Sequence, residues 1–239
     1  MLTVSVIIRT KNAERSLKAT LERVFEQRVA PFEVIVVDAG STDRTAAIVG
    51  KSDALFLTVA PEDSSPARAL NRGARVARGD ILVLLSARCL PVDTDWLENL
   101  LRHFDDPTVA AAWGASQFGP RRPLPAPGPP TRQLPRTYTR ENWMWGLSNG
   151  NGAIRTRLWK QEPFDESFPA LEDKQWAKVM MDRDYCIVHD PAAAVWRDRE
   201  TVRSAYRRRR LMTQAFARLF PEGDSKLRPV AERSRAQLK

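Results

Sequence analysis

The apolar run Ile81 to Leu85 reads as a buried strand, and it ends in Ser86, Ala87 and Arg88. Arginine keeps its charge throughout the physiological range and cannot ligate a hard cation. Its planar fork matches the oxygens of a phosphate or diphosphate. The chemistry this suggests is the holding of an anionic ligand by a protein cation. A surface ion pair of Arg88 with Asp93 or Asp95 is the plainer alternative. Glu172 and Asp173 open a helical pattern, where first-turn acids are favoured by the helix dipole. Trp143 and Trp145 fit either a core or a ligand-stacking surface. Metal chemistry has little support: Cys89 and Cys186 are far apart without zinc spacing, and His103 and His189 are solitary. Buried free thiols are expected.

The elements that must position these residues alternate. The β-branched runs "VSVIIR" and "FEVIVVD" flank a segment that places Leu17, Leu21, Val24 and Phe25 on one helical face. "GSTDRTAAIV" offers Ser41 or Thr42 as a helix cap. A strand at "ALFLTV" follows, then a helix from Pro66 to Gly79, the strand ending at Ser86, a helix around Trp96 to Phe104, and a strand at "VAAAWG". Strands alternating with helices imply a mostly parallel sheet with right-handed crossovers. Ligands bind beyond the carboxyl ends of such strands, so residues 10–14, 38–41 and 86–88 should line one crevice. Further on, "SNGNGAI" reads as turn and strand, "LEDKQWAKVMM" as helix, and "DYCIVHDPAAAVW" as one strand and a loop.

Residues 118–137 hold seven of the seventeen prolines, which excludes a helix or a central strand. The segment is expected to be a mobile loop near the site. The chain of 239 residues has no apolar run of about 18 residues, and it enters a strand without a leader pattern, so a single intracellular domain is expected. Its net charge of +9 is uneven: residues 197–239 carry 13 Lys and Arg against 5 Asp and Glu, while residues 1–196 carry 25 against 24. The domain therefore spans 1–196 and a basic, helical extension spans 197–239. In the extension Val202, Ala205, Met212, Ala215, Phe216, Leu219 and Phe220 lie near one face, interrupted by Arg209. The run Arg207 to Arg210 fits a solvated helix face, or a peripheral contact with an anionic bilayer at the cytoplasmic side. With Tyr206 it also suggests an RNA patch, but the near-neutral first 196 residues hold no nucleic-acid module, and no nucleic-acid partner is expected.

Five segments in order, "VSVIIRTKNAERSLKATLERVFEQ", "EVIVVDAGSTDRT", "ARALNRGARVARGDILVLLSARCLP", "SNGNGAIRTRLW" and "FDESFPALEDKQWAKVM", resemble glycosyltransferase family 2 of the GT-A fold, especially its bacterial rhamnosyltransferase-like members. The resemblance implies an inverting transfer of a sugar from a nucleoside diphosphate donor, UDP- or dTDP-linked, to a hydroxyl of a glycan, a lipid-linked glycan or a small molecule. It further implies that Thr10, Asn12 and Glu14 contact the nucleotide, that Asp38 reaches the base with Ser41 beside it, and that Arg68 and Asn71 approach the diphosphate. Asp173 matches the general base, Glu172 its neighbour, Asn149 lies before the acceptor region, and Trp143 is taken for the acceptor side, where it could stack on a sugar. Such a transfer needs a base for the acceptor proton and positive charge for the leaving diphosphate.

Two departures stand out. The strand that normally ends in Asp-x-Asp, the metal-binding motif of the family, ends here in Ser86, Ala87 and Arg88, and the His expected after the last strand is replaced by Arg197, Asp198 and Arg199. One reading is that Arg88, with Arg197 or Arg199, does without Mg²⁺ or Mn²⁺ what the metal does in relatives. The other is a catalytically inactive protein that keeps the fold and binds nucleotides or partners.

Overall fold

Val4–Thr10 forms the first strand, β1, because alternate β-branched residues satisfy both faces of a buried sheet: Val4, Val6 and Ile8 enter one core cluster and Ile7 the other. The computed structural model describes residues 2–60, 65–118, 126–198 and 202–220. In chain order come α1 (Leu17–Phe25), β2 (Glu33–Asp38), α2 (Thr45–Val49), β3 (Leu55–Thr58), α3 (Pro66–Val76), β4 (Ile81–Ser86), β5 (Cys89–Pro91) and α4 (Trp96–Leu101). Then follow β6 (Val109–Phe118), β7 (Thr131–Gln133), β8 (Asn151–Arg155), α5 (Thr156–Gln161), α6 (Glu172–Asp182), β9 (Cys186–Arg197) and α7 (Val202–Leu219).

The strands make one sheet in the order β3-β2-β1-β4-β8-β6-β9-β5, with β7 paired to β9. The half from β3 to β4 is parallel, as expected of strands joined by helices. The other half is mixed: β8 runs antiparallel to both β4 and β6, while β6 and β9 are parallel. All four parallel strands therefore deliver their carboxyl ends to one edge, and it is there that polar residues concentrate. Helix α3 packs closely over β1 and β2 because residue 73 is glycine: a Cβ there would lie 2.7 Å from Ile7 Cγ2.

Three expectations change. Residues 186–197 form a single strand through Pro191, not a strand and a loop. The register jumps from Gly114 opposite Asp190 to Ser116 opposite Val195, so the proline sits in a bulge where its missing N–H costs no ladder bond. Buried Asp190 anchors that bulge by accepting from Arg102 and lying 2.6 Å from His103 Nε2. His103 is thus partnered by a carboxylate, which its sequence neighbours do not reveal. Within the proline-rich segment, Thr131–Gln133 pairs with β9 as an edge strand, a position that flanking prolines tolerate. Residues 119–125 lie outside the described residues.

Helix α7 packs on the domain. Ala215, Phe216 and Leu219 join Phe168 and Leu171 in a third cluster, with Met212, Phe220 and Trp143 against it. Arg209 stays exposed, and the side chains of Val202 and Ala205 lie outside the described residues. Cys89 and Cys186 are free and buried, as expected. Among the described residues no helix is long and apolar enough to cross a membrane.

Candidate functional site

Beyond the strand ends lies a crevice of about 580 Å³. The end of β1 contributes Arg9, Thr10, Lys11 and Asn12, and the turn after β4 contributes Ser86, Ala87 and Arg88. Trp143, Met144 and Asn149 line it from the segment before β8, Glu172, Asp173 and Lys174 from the start of α6, and Arg197 and Asp198 from the end of β9. A larger groove of about 730 Å³ between α1 and α2 lies off the strand ends and gathers no comparable set of convergent groups.

The acids are built into the first turn of α6. Leu171, just before them, has a left-handed backbone (φ 63°, ψ 24°), unusual for a residue with a Cβ, and its side chain is buried in the cluster that α7 completes. Asp173 accepts the backbone N–H of Lys174 at 2.8 Å through Oδ1 and that of Asn149 at 2.9 Å through Oδ2. The Asn149 side-chain amide donates to Glu172 Oε1, and Asn149 Oδ1 accepts from Arg9 Nη2 at 3.4 Å. Asn149 therefore holds both carboxylates. Burial, and then the charge of Asp173, push Glu172 up to about 7, against the opposing pull of Arg9 and the bond from Asn149.

Lys174, the next residue, is buried, and its Nζ donates to the carbonyls of Gly146 at 2.7 Å and Met144 at 3.1 Å while lying 5.4 Å from the Trp113 ring. Burial lowers its pKa and the two acids resist that. The lysine ties the Trp143–Trp145 turn to α6. Trp143 is half-buried, set edge-on against Phe216 of α7, and also lines the crevice; Trp145 is exposed.

Positive charge gathers where the sequence lacks carboxylates. Arg88 occupies the turn between β4 and β5, and its carbonyl accepts from Asp198 N at 3.2 Å, joining that turn to the end of β9. Arg88 forms no ion pair with Asp93 or Asp95; Asp95 pairs with Arg28 at 2.9 Å. The Arg197 guanidinium lies 5.4 Å over the ring of Phe118. Two buried polar atoms of the crevice, Arg9 Nε and Thr10 Oγ1, have no hydrogen-bond partner among the described residues, the pattern of a site completed by a ligand. A divalent cation fits poorly. At the strand-end positions Ala87 is apolar and Arg88 cationic, and among the described residues no three His, Cys, Asp or Glu side chains are grouped to hold a metal.

The family model for glycosyl transferase family 2 matches residues 5–168. The chain belongs to glycosyl transferase family 2. Among curated relatives, the O-antigen chain rhamnosyltransferase RfbN of Salmonella typhimurium is 29% identical over 118 residues, which is 46% of this chain and 36% of that protein. The rhamnosyltransferase-like resemblance is therefore upheld, and the chain spans about a third of the relative's length. Among solved structures, the mannosyltransferase PcManGT of Pyrobaculum calidifontis, in complex with GDP-Man and Mn²⁺, superposes with a TM-score of 0.70 at 23% identity, covering 93% of this chain and 65% of that one. Glucosyl-3-phosphoglycerate synthase of Mycobacterium tuberculosis, in complex with Mn²⁺, UDP and its product, gives 0.67 at 16% identity, covering 94% and 82%. These likenesses show the GT-A fold.

Within this family 2 chain, several residues expected on the donor side are engaged by other groups of the protein. Asn71 is buried in α3: its amide donates to Phe164 O and Glu166 Oε1, and its Oδ1 accepts from Trp159 Nε1 and Phe164 N. Every hydrogen-bonding position of that side chain is engaged in bracing the segment before α6. Arg68 approaches Glu166 at 3.6 Å, so neither residue lines the crevice. Asp38 accepts from both the backbone and the hydroxyl of Ser41, making it the former of a turn, and Ala39 lines the crevice instead. Ser41 also accepts from Asn12 N at 2.7 Å, while Asn12 Oδ1 accepts from Thr42 N at 2.8 Å, so this asparagine, at φ 48°, stitches two strand-end loops together. Glu14 pairs with Arg44 at 3.3 Å and lines an adjoining pocket of about 550 Å³ with Asn12, Arg88 and Asp198. Thr10, Asn12, Ser86, Arg88, Arg197, Trp143, Asn149, Glu172 and Asp173 do meet in the crevice. Arg199 lies outside the described residues. Arg9 and Lys174 are additions that the reading of motifs passed over.

Proposed function

We propose that the crevice carries out inverting transfer of a sugar from a nucleoside diphosphate donor to an acceptor hydroxyl. The observation that supports this most is the convergence of the Glu172–Asp173 pair and the Arg88–Arg197 cations in one crevice at the strand ends of a family 2 fold. Asp173 takes the acceptor proton as the acceptor oxygen bonds to the anomeric carbon. The bond from that carbon to the diphosphate oxygen breaks, and the electron pair leaves on the diphosphate. A single displacement of this kind inverts the anomeric centre. Backbone donors on both oxygens of Asp173 orient it, and Glu172, whose carboxyl burial raises, stands beside it.

Charge on the departing diphosphate is met by Arg88 and Arg197, with Thr10 and Asn12 on the nucleotide side, so the transfer proceeds without a divalent cation. Trp143 and Met144 face the acceptor. The acceptor is a glycan, a lipid-linked glycan or a small molecule, and the exposed Arg209 and Arg210 of α7 support contact with an anionic bilayer. The absent strand-end carboxylates favour a second reading, nucleotide binding without turnover. Asp173→Asn separates the two: transfer should fall by roughly 10²- to 10⁴-fold with donor affinity nearly unchanged. Turnover that survives the substitution removes Asp173 as the base, and a wild-type protein that binds donors but never transfers supports the second reading.

A further inference from the structure

Arg9 stands at the junction of the two halves of the crevice. It is the last but one residue of β1, opposite Ser86 of β4, and its carbonyl accepts from Ala87 N at 3.0 Å, in the turn that carries Arg88. Its Nη2 reaches Asn149 Oδ1, the residue that holds Glu172 and Asp173. Its Nε is buried without a hydrogen-bond partner among the described residues, while the residue as a whole remains partly accessible and lines the crevice. A guanidinium with one edge engaged and a buried donor unused is prepared for an oxyanion.

We propose that Arg9 binds the phosphate that bears the sugar, fixing the group that departs from the anomeric carbon beside the residue that orients the acids. This rests on the donor-site reading above. When the carbon–oxygen bond breaks, the electron pair arrives on an oxygen of that phosphate, and Arg9 offers charge and two N–H groups to it. Arg88 and Arg197 then serve the remaining diphosphate oxygens. The charge of Arg9 is already felt in the site, since it opposes the rise of Glu172.

The test compares nucleoside diphosphates with their monophosphates, because only the diphosphate carries the phosphate in question. UDP, dTDP and GDP, each with UMP, dTMP or GMP, are titrated without metal into wild type, Arg9→Gln and Arg9→Lys. The glutamine variant should lose about tenfold or more in affinity for the diphosphate that wild type binds, with the monophosphate within about twofold. The lysine variant should recover part of the loss, as a point charge without the fork. Equal losses on both ligands, or an unchanged diphosphate, overturn the role of Arg9. Wild type that binds none of the three diphosphates overturns the donor site itself. Thermal melting of each variant checks folding, and if the glutamine variant fails to fold, the lysine variant must show the same selective loss.

Discussion

Replacing Glu172 by glutamine should make the protein more stable in alkaline solution and hardly change it in acid. Glu172 is almost fully buried and its carboxyl is pushed from 4.5 up to about 7. A carboxyl whose pKa is higher in the folded than in the unfolded chain favours the fold while protonated in both states, and loses that advantage as pH rises from about 4.5 through about 7. A shift of this size corresponds to about 3 kcal/mol. Glutamine keeps an acceptor for the Asn149 amide but never ionises. Urea unfolding at pH 4.5 should therefore give a difference below about 0.5 kcal/mol between variant and wild type, and at pH 8.5 an advantage to the variant approaching about 3 kcal/mol. For a domain of this size that is a gain of roughly 6–12 °C in Tm at the higher pH. A difference that does not change with pH, or one that favours wild type at pH 8.5, would refute the burial of an ionisable Glu172 beside Asp173 and Asn149.

Arg88→Ala should weaken binding of a nucleoside diphosphate by about tenfold or more while leaving the free nucleoside nearly untouched; calorimetry that finds equal losses for both ligands counts against a role on the diphosphate. Lys174→Met removes two bonds to buried carbonyls and the cation beside two acids, and should cost about 2–4 kcal/mol in chemical denaturation. A cost below about 0.5 kcal/mol would mean that the Trp143–Trp145 turn is held by other contacts.

Much of this was legible in the chain because its local signals agree. The β-branched runs at Val4, Glu33 and Ile81 and the helical faces between them predict parallel strands whose ends form a crevice, and they do. The gap at the strand-end carboxylates was legible as well, since Arg88 sits where a strand stops. What the sequence could not supply is direction. Asn71 lies on the helix expected near the donor, but which way its side chain turns depends on Glu166 and Phe164, more than ninety residues away. Asp38 was legible as a turn former, and its bonds to the backbone and hydroxyl of Ser41 show that turn. The strand at residues 186–197 was hidden by Pro191, because local propensity cannot foresee a bulge against Gly114. Arg9 carries the same signal as Arg88, a guanidinium near the end of an apolar strand, but its reach to Asn149 crosses 140 residues of sequence.

The central claim is that protein cations replace a metal at the donor diphosphate. It is tested most directly by titrating the purified protein with UDP and dTDP, each with and without Mg²⁺ or Mn²⁺. Binding whose affinity is the same in metal, in its absence and in excess chelator is the result this account predicts. Binding that appears only with Mg²⁺ or Mn²⁺ and vanishes on chelation would contradict it.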